Sequence, residues 1–326
     1  MILEKSLYMD PKYDYLDKYC NIIYKSFWTP AKYLKLIEEQ DAKQYVTEFD
    51  DVDKEVIKRC ILGVATVEDK VKMFWSVVGI DVPQTIVSDV GGLFTMSEVT
   101  HRKSYHGLLN SLNINTNEIE NHEVLRDRLI YLNKHNENDA KIIGKKRILK
   151  KIVLFTSLVE RASLFTQFYI LMSYGKRRND LQSISALQKS TATEEIVHYN
   201  FGIELINIIK EEYPNLWDEY LIDLISKNIQ DAYQAELNII DWIFENGFPS
   251  HITKKEVVNF LNFNFDTICK DLKLNIGWDF NEVLYRDKNI WMMESIQAMP
   301  EPDFFNSAVG GYSSLDETIN LNEIDF

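Results

Sequence analysis

Apolar residues recur at three- and four-residue spacing through seven long segments, 53–78, 86–113, 118–136, 146–176, 181–211, 216–246 and 253–272, and little inside them interrupts a helix. Only 12 Gly and 7 Pro occur in 326 residues, and one of either in a helix interior costs about 1 to 3 kcal/mol. The breaks fall where turn residues cluster: GIDVPQ (79–84), NINTNE (113–118), YGKRRND (174–180), EEYPNL (211–216) and NGFPSHIT (246–253). The pattern predicts an all-α protein whose helices are long enough to span a bundle. No internal repeat suggests a solenoid.

Composition narrows the partners. A 45% apolar chain of this length can bury one large core or two modest ones. Its net charge is -14, and the densest basic run is GKKRILKK (144–151), so it lacks the basic face that phosphate binding requires and nucleic acid is not an expected partner. Cys20, Cys60 and Cys269 are far apart with no C-x-x-C pair, which fits a reducing cytosol better than a disulfide framework. The opening MILEKSLYMDPKYDYL is charged where a signal peptide is apolar, and no uncharged apolar run reaches about 18 residues. A cytoplasmic protein with no membrane contact is the expectation.

From about residue 299 the text changes to Pro, Gly, Ser and acids without a sustained period, which divides the chain into a helical domain over 1–299 and a flexible tail over 300–326. Leu315, Ile319, Leu321, Ile324 and Phe326 recur in that tail as apolar anchors, the composition of a peptide that orders on a partner.

Ionisable residues stand where the helical period demands apolar ones. Glu68 shares a stripe with Ile57, Ile61, Val64, Val71 and Trp75. Phe94, Glu98, His101, Tyr105, Leu108 and Leu112 form a second stripe; Glu160 lies among Leu158, Val159, Leu164 and Phe168; Glu195 and His198 share a row with Gly202, Leu205 and Ile209. Burying one lone carboxylate costs several kcal/mol or neutralises it. Four at once need a common counter-charge. Arg161 and Lys189 do not share these stripes, whereas a pair of divalent ions bridged by carboxylates and completed by imidazoles would serve.

The spacing supports that choice. Glu-x-x-His puts both ligands on adjacent turns of one face, and of the six histidines only His101 and His198 have Glu three positions earlier. The rule for carboxylate-bridged bundles is a lone Glu from each of two helices and Glu-x-x-His from each of two others. A single such pair is weak in a chain this acidic, and a lone inward Glu can close a buried ion pair. Two pairs, each preceded by a lone inward Glu, make a set.

With these six residues in place, the chain resembles the small, radical-generating subunit of class I ribonucleotide reductase. The resemblance runs over roughly residues 20 to 290 and is carried by TVEDKVKMFW, SEVTHRKSYHGLL, SLVERASLFTQFYILM and TEEIVHYNFGIEL, with FWTP earlier. It implies a ferritin-like helical fold, a homodimer, and two iron or manganese ions per chain held by Glu68, Glu98, His101, Glu160, Glu195 and His198. Tyr105 then takes the place of the radical tyrosine, Trp28 that of the tryptophan on the electron path, and Tyr312 in the tail that of the tyrosine handing the radical to the large subunit. Glu194 stands where the family commonly has an Asp linking that tryptophan to the metal-bound His. Glu68 likewise stands where many relatives carry Asp, as in subgroups with altered metal content or oxidant.

The resemblance implies an enzyme subunit that stores an oxidising equivalent and delivers it to a large subunit, docked through the tail, which reduces ribonucleotides to deoxyribonucleotides. The chain has no Gly-rich phosphate loop of its own. The alternatives are a related dimetal oxidase or monooxygenase acting on a small apolar substrate, a ferritin-type store, and a purely structural bundle.

Overall fold

In the computed structural model, which describes residues 1–5, 8, 10–117, 119 and 122–297, and the side chains of these apart from 69–72 and 297, no strand occurs among the described residues. The helices are α1 (Asp17–Ser26), α2 (Ala31–Leu36), α3 (Ala42–Thr47), α4 (Asp51–Asp81), α5 (Thr85–Ser111), α6 (Glu123–Leu132), α7 (Gly144–Ser157), α8 (Phe165–Ser173), α9 (Gln182–Glu212), α10 (Glu219–Ile243), α11 (Lys254–Leu272) and α12 (Ile290–Gln297), the last entered from a helical turn at Glu282–Leu284 through a π turn at Tyr285–Asn289. The expected tail over 300–326, Tyr312 included, lies outside the described residues.

Helix ends follow local chemistry. Asp50 caps α4 by accepting from the Asp53 amide at 2.8 Å, and Asp218 caps α10 from the Leu221 amide at 3.0 Å. Thr253 caps α11, its hydroxyl accepting from the Glu256 amide and donating to the Glu256 carboxylate, each at 3.3 Å. The start of α9 follows a tight turn in which Asn179 and Leu181 both take positive φ, 60° and 47°. A residue far along the chain steadies it: buried Asp41 accepts from the Ile184 amide at 2.7 Å.

Two departures from the periodicity have physical reasons. The stretch 146–176 is not one helix: α7 passes into a π-helical turn at Leu158–Ala162, and α8 starts only at Phe165. A π turn holds one extra residue, and apolar side chains flank it on both sides, so no change of pattern announces it. The helices before residue 51 and after 281 lie outside the predicted segments, because each is too short to set up a clear period.

Helices α4 and α5 are joined by three residues and lie closely side by side. Gly91 permits the approach, since a Cβ there would stand 2.6 Å from the Trp75 carbonyl oxygen. Helices α7, α8 and α9 complete the core, and α10 packs over α4, α6 and α7. Within it Arg128, fully buried, donates to both carboxylate oxygens of Glu236 at 2.8 and 3.0 Å, to the Gly63 carbonyl at 2.9 Å and to Gln167 at 3.0 Å, tying four elements together. Cys20, Cys60 and Cys269 are buried free thiols. No helix among the described residues is long and apolar enough to cross a membrane.

Candidate metal centre

The four stripes meet. Helix α4 supplies Glu68, α5 supplies Glu98 and His101, the π turn after α7 supplies Glu160, and α9 supplies Glu195 and His198. None is more than 1% exposed. Their ligand atoms fall into two groups, Glu68 with Glu98, His101 and Glu195, and Glu98 with Glu160, Glu195 and His198, each within 4.8 Å. Glu98 and Glu195 belong to both groups, which is the placement of bridging carboxylates.

The ring nitrogens point the same way. His101 Nδ1 lies 3.0 Å from Glu195 and 3.8 Å from both Glu68 and Glu98. His198 Nδ1 lies 3.0 Å from Glu98, 3.4 Å from Glu160 and 3.6 Å from Glu195.

The residues present fit a pair of cations. Both carboxylate oxygens of Glu68 and of Glu98, one of Glu195, His101 Nδ1 and both nitrogens of His198 are buried with no aligned hydrogen-bond partner in the protein. So many orphaned acceptors around one point are unstable unless a cation or proton sits among them. Oxygen-rich donor sets with two imidazoles suit iron or manganese.

In the absence of metal, protons carry that charge. Burial pushes the Glu68 carboxyl well above its usual range, and the neighbouring charges of Glu195 and Glu98 add to it. Burial, then the charge of Glu195, does the same to Glu160. For Glu195 burial acts upward too, but the donors facing it from Glu160, His101 and His198 outweigh it and hold it below the carboxylate range. Burial would lower both imidazoles, yet Glu68 with Glu194 holds His101, and Glu160 with Glu195 holds His198, protonated well beyond the ordinary range.

The residues around the six behave less uniformly. Tyr105, 1% exposed, donates its hydroxyl to Gln188 Oε1 at 2.7 Å, and burial, then the Glu68 charge, raises its phenol well above the usual value. Trp28 lies parallel to the His101 ring, centroids 5.8 Å apart and planes 22° apart. Glu194 meets His101 Nε2 at 2.7 Å. The expected chain from tryptophan through acid to imidazole is thus half present: Glu194 holds His101, but Trp28 reaches that ring by stacking, and its buried Nε1 has no acceptor. Arg161 is buried yet faces away from the acids, with its guanidinium over Phe165, Tyr199 and Phe263.

Two further side chains belong to the site. Trp75 Nε1 donates to Glu160 Oε1 at 2.7 Å. Gln188 holds Tyr105 from a position two turns before Glu195 on α9, so extending the Glu195 and His198 row upstream would have found it. Trp75 carried no such signal, since an indole on an apolar stripe reads as core. A cavity of about 190 Å³ lies beside the site, lined by Ala65, Glu68, Arg102, Tyr105, His106 and Leu109 among others.

The family model for the ribonucleotide reductase small chain matches residues 6–281. A ribonucleoside-diphosphate reductase subunit beta from Chlamydia pneumoniae is 24% identical over 173 residues, 52% of this chain and 47% of that protein, so the match spans about half of the relative's length. The fold is similar to a structure assigned to class I ribonucleotide reductase from Bacillus halodurans, with TM-score 0.73, 18% identity and coverage of 87% of this chain and 99% of that one. The ribonucleotide reductase R2 subunit from Clostridium botulinum gives 0.74 at 14% identity, over 91% and 99% of the two chains. An R2-like ligand-binding oxidase reconstituted with a Mn/Fe cofactor gives 0.65 at 13% identity, over 80% and 94%. At these identities the likeness establishes the all-helical ferritin-like fold.

Proposed function

Because the chain belongs to the ribonucleotide reductase small-chain family, we propose that it is the radical-generating subunit of a class I enzyme, working as a homodimer in the cytoplasm with a large subunit that reduces ribonucleotides. The observation that carries this reading is the double ligand group sharing Glu98 and Glu195. Two iron or manganese ions, when bound, supply oxygen activation and leave a one-electron oxidant.

The protein's own part is to hold, shield and connect. Glu68, Glu98, Glu160 and Glu195 would neutralise the ions, and His101 and His198 would complete their shells. Burial excludes water and reductants. Tyr105, one turn beyond His101, is the phenol placed to hold the oxidising equivalent, while Gln188 keeps its hydroxyl directed. Trp28, which stacks on His101, would pass an electron between the site and the protein surface. Glu194 keeps His101 aimed, and Tyr312 in the 300–326 tail hands the radical to the large subunit.

A second reading has a specific observation behind it, the likeness to R2-like ligand-binding oxidases. A dimetal oxidase would share the ligand set and act on a small apolar substrate without a large subunit.

One pair of experiments tests both. Metal analysis with electron paramagnetic resonance on wild type and Tyr105→Phe should show about two ions per chain, and an organic-radical signal that the substitution abolishes. A multiline signal that survives would place the oxidant on manganese. Removing residues 300–326 should end ribonucleotide reduction with a large subunit while the metal signal persists. Oxidase turnover indifferent to that truncation would favour the second reading.

A further inference from the structure

The four ligand carboxylates are not held alike. Glu68 and Glu98 leave both oxygens without a hydrogen-bond partner. Glu160 has its Oε1 bound to the Trp75 indole N–H at 2.7 Å, and its Oε2 is the atom turned towards His198 Nδ1, 3.4 Å away.

The donor cannot swing away. Trp75 is 1% exposed, with ring centroids of Phe94, Phe155 and Phe201 at 5.1, 5.7 and 5.8 Å. Its backbone is pinned by the close approach of α5 at Gly91, where a Cβ would meet the Trp75 carbonyl oxygen at 2.6 Å. Glu160 itself sits in the π-helical turn Leu158–Ala162. An oxygen that already accepts from a fixed, desolvated N–H is a poorer donor to a cation, and partners of this kind orient the ligands they touch.

Resting on the dimetal reading above, we propose that Trp75 is a positioning residue which restricts Glu160 to a single ligating oxygen, Oε2, in the half of the site that contains His198. The two halves are therefore unequal. Glu68 and Glu98 have both oxygens free to ligate, whereas the His198 half has one oxygen withheld.

The test is a Co²⁺ titration of the full-length, metal-free protein, reading the visible cobalt absorption of each ion in turn, for wild type, Trp75→Phe and Phe155→Leu. In Trp75→Phe the freed Oε1 joins the coordination shell of one ion: its band loses intensity, and its Kd rises about tenfold as the carboxylate loses its fixed aim. The other ion keeps its wild-type band and Kd. Phe155→Leu trims one ring beside the indole while Phe94, Phe201 and the N–H bond to Glu160 still hold it in place, and gives the wild-type titration; helical content and thermal unfolding of the metal-free variants confirm that both fold. An unchanged titration in Trp75→Phe, equal changes at both ions, or the same change in Phe155→Leu overturns the assignment while leaving the dimetal reading intact. A folded wild type that takes up no pair of ions overturns both.

Discussion

Glu194 Oε2 stands 2.7 Å from His101 Nε2, on the side of the imidazole opposite the Nδ1 that faces Glu68, Glu98 and Glu195. A carboxylate behind a ligating histidine fixes the tautomer, the ring orientation and the basicity of the metal-facing nitrogen. His198 has no such support, since its Nε2 is buried without a partner and its ring packs on Phe94 at 4.1 Å between centroids.

Removing that support should therefore act on one half of the site. Glu194→Ala is expected to weaken metal binding at the His101 half by about 10- to 100-fold, and Glu194→Gln, which keeps a hydrogen-bonding oxygen, by less. Competition with a chelator of known affinity for Mn²⁺ measures both; equal affinities in wild type and Glu194→Ala would refute the role.

Metal uptake should release protons and strengthen with pH. His101 and His198 are held protonated beyond the imidazole range, by Glu68 and Glu194 for the first and by Glu160 and Glu195 for the second. Burial holds Glu68 and Glu160 protonated beyond the carboxylate range. Ligation needs these atoms bare, so each ion displaces protons, and acidification favours the metal-free form. The linked stability has the matching sign: raised folded-state values help the metal-free protein at low pH, and that help is lost as pH rises through them. Calorimetry in two buffers of different ionisation enthalpy counts the protons. A heat of binding independent of buffer near pH 7 would contradict the prediction.

His135 should impose the opposite slope. Burial lowers its value from 6.5 to about 4, and its Nδ1 lies 2.7 Å from the Leu132 carbonyl oxygen. A depressed folded-state value contributes stability that is present above about pH 6.5 and lost as pH falls towards about 4. His135→Phe keeps an aromatic ring against the stacked Phe74 and Phe155 and cannot titrate. The difference in unfolding free energy between wild type and variant should shrink or reverse across that window and stay level above it, which denaturant titrations at several pH values would show.

The Arg128 and Glu236 pair offers a stability test remote from the metals. Both side chains are fully buried, and Tyr131 also donates to Glu236. Glu236→Ala leaves a guanidinium buried without its counter-charge, a change that costs about 3–5 kcal/mol. Adding Arg128→Met should recover most of that loss, because the stranded charge goes with it. Thermal unfolding of the single and double variants decides, and a double variant no more stable than Glu236→Ala would show that packing, not charge, sets the cost.

The spacing of apolar residues alone was enough to mark α4, α5, α9, α10 and α11, and to show that Glu68, Glu98 with His101, Glu160, and Glu195 with His198 point inward. That much is legible because a helix fixes the angular position of every side chain around its own axis. Whether four such rows meet is not a property of any one of them. The 3.0 Å approach of His101 to Glu195 and of His198 to Glu98 depends on interhelical distances set by contacts such as that of Gly91 with the Trp75 backbone. The π turn carrying Glu160, the Trp75 bond to it, the amide of Gln188 on Tyr105 and the stacking of Trp28 on His101 are of the same kind. Each joins residues at least 70 positions apart or turns on a one-residue change in helical winding, and periodicity along a single chain records neither.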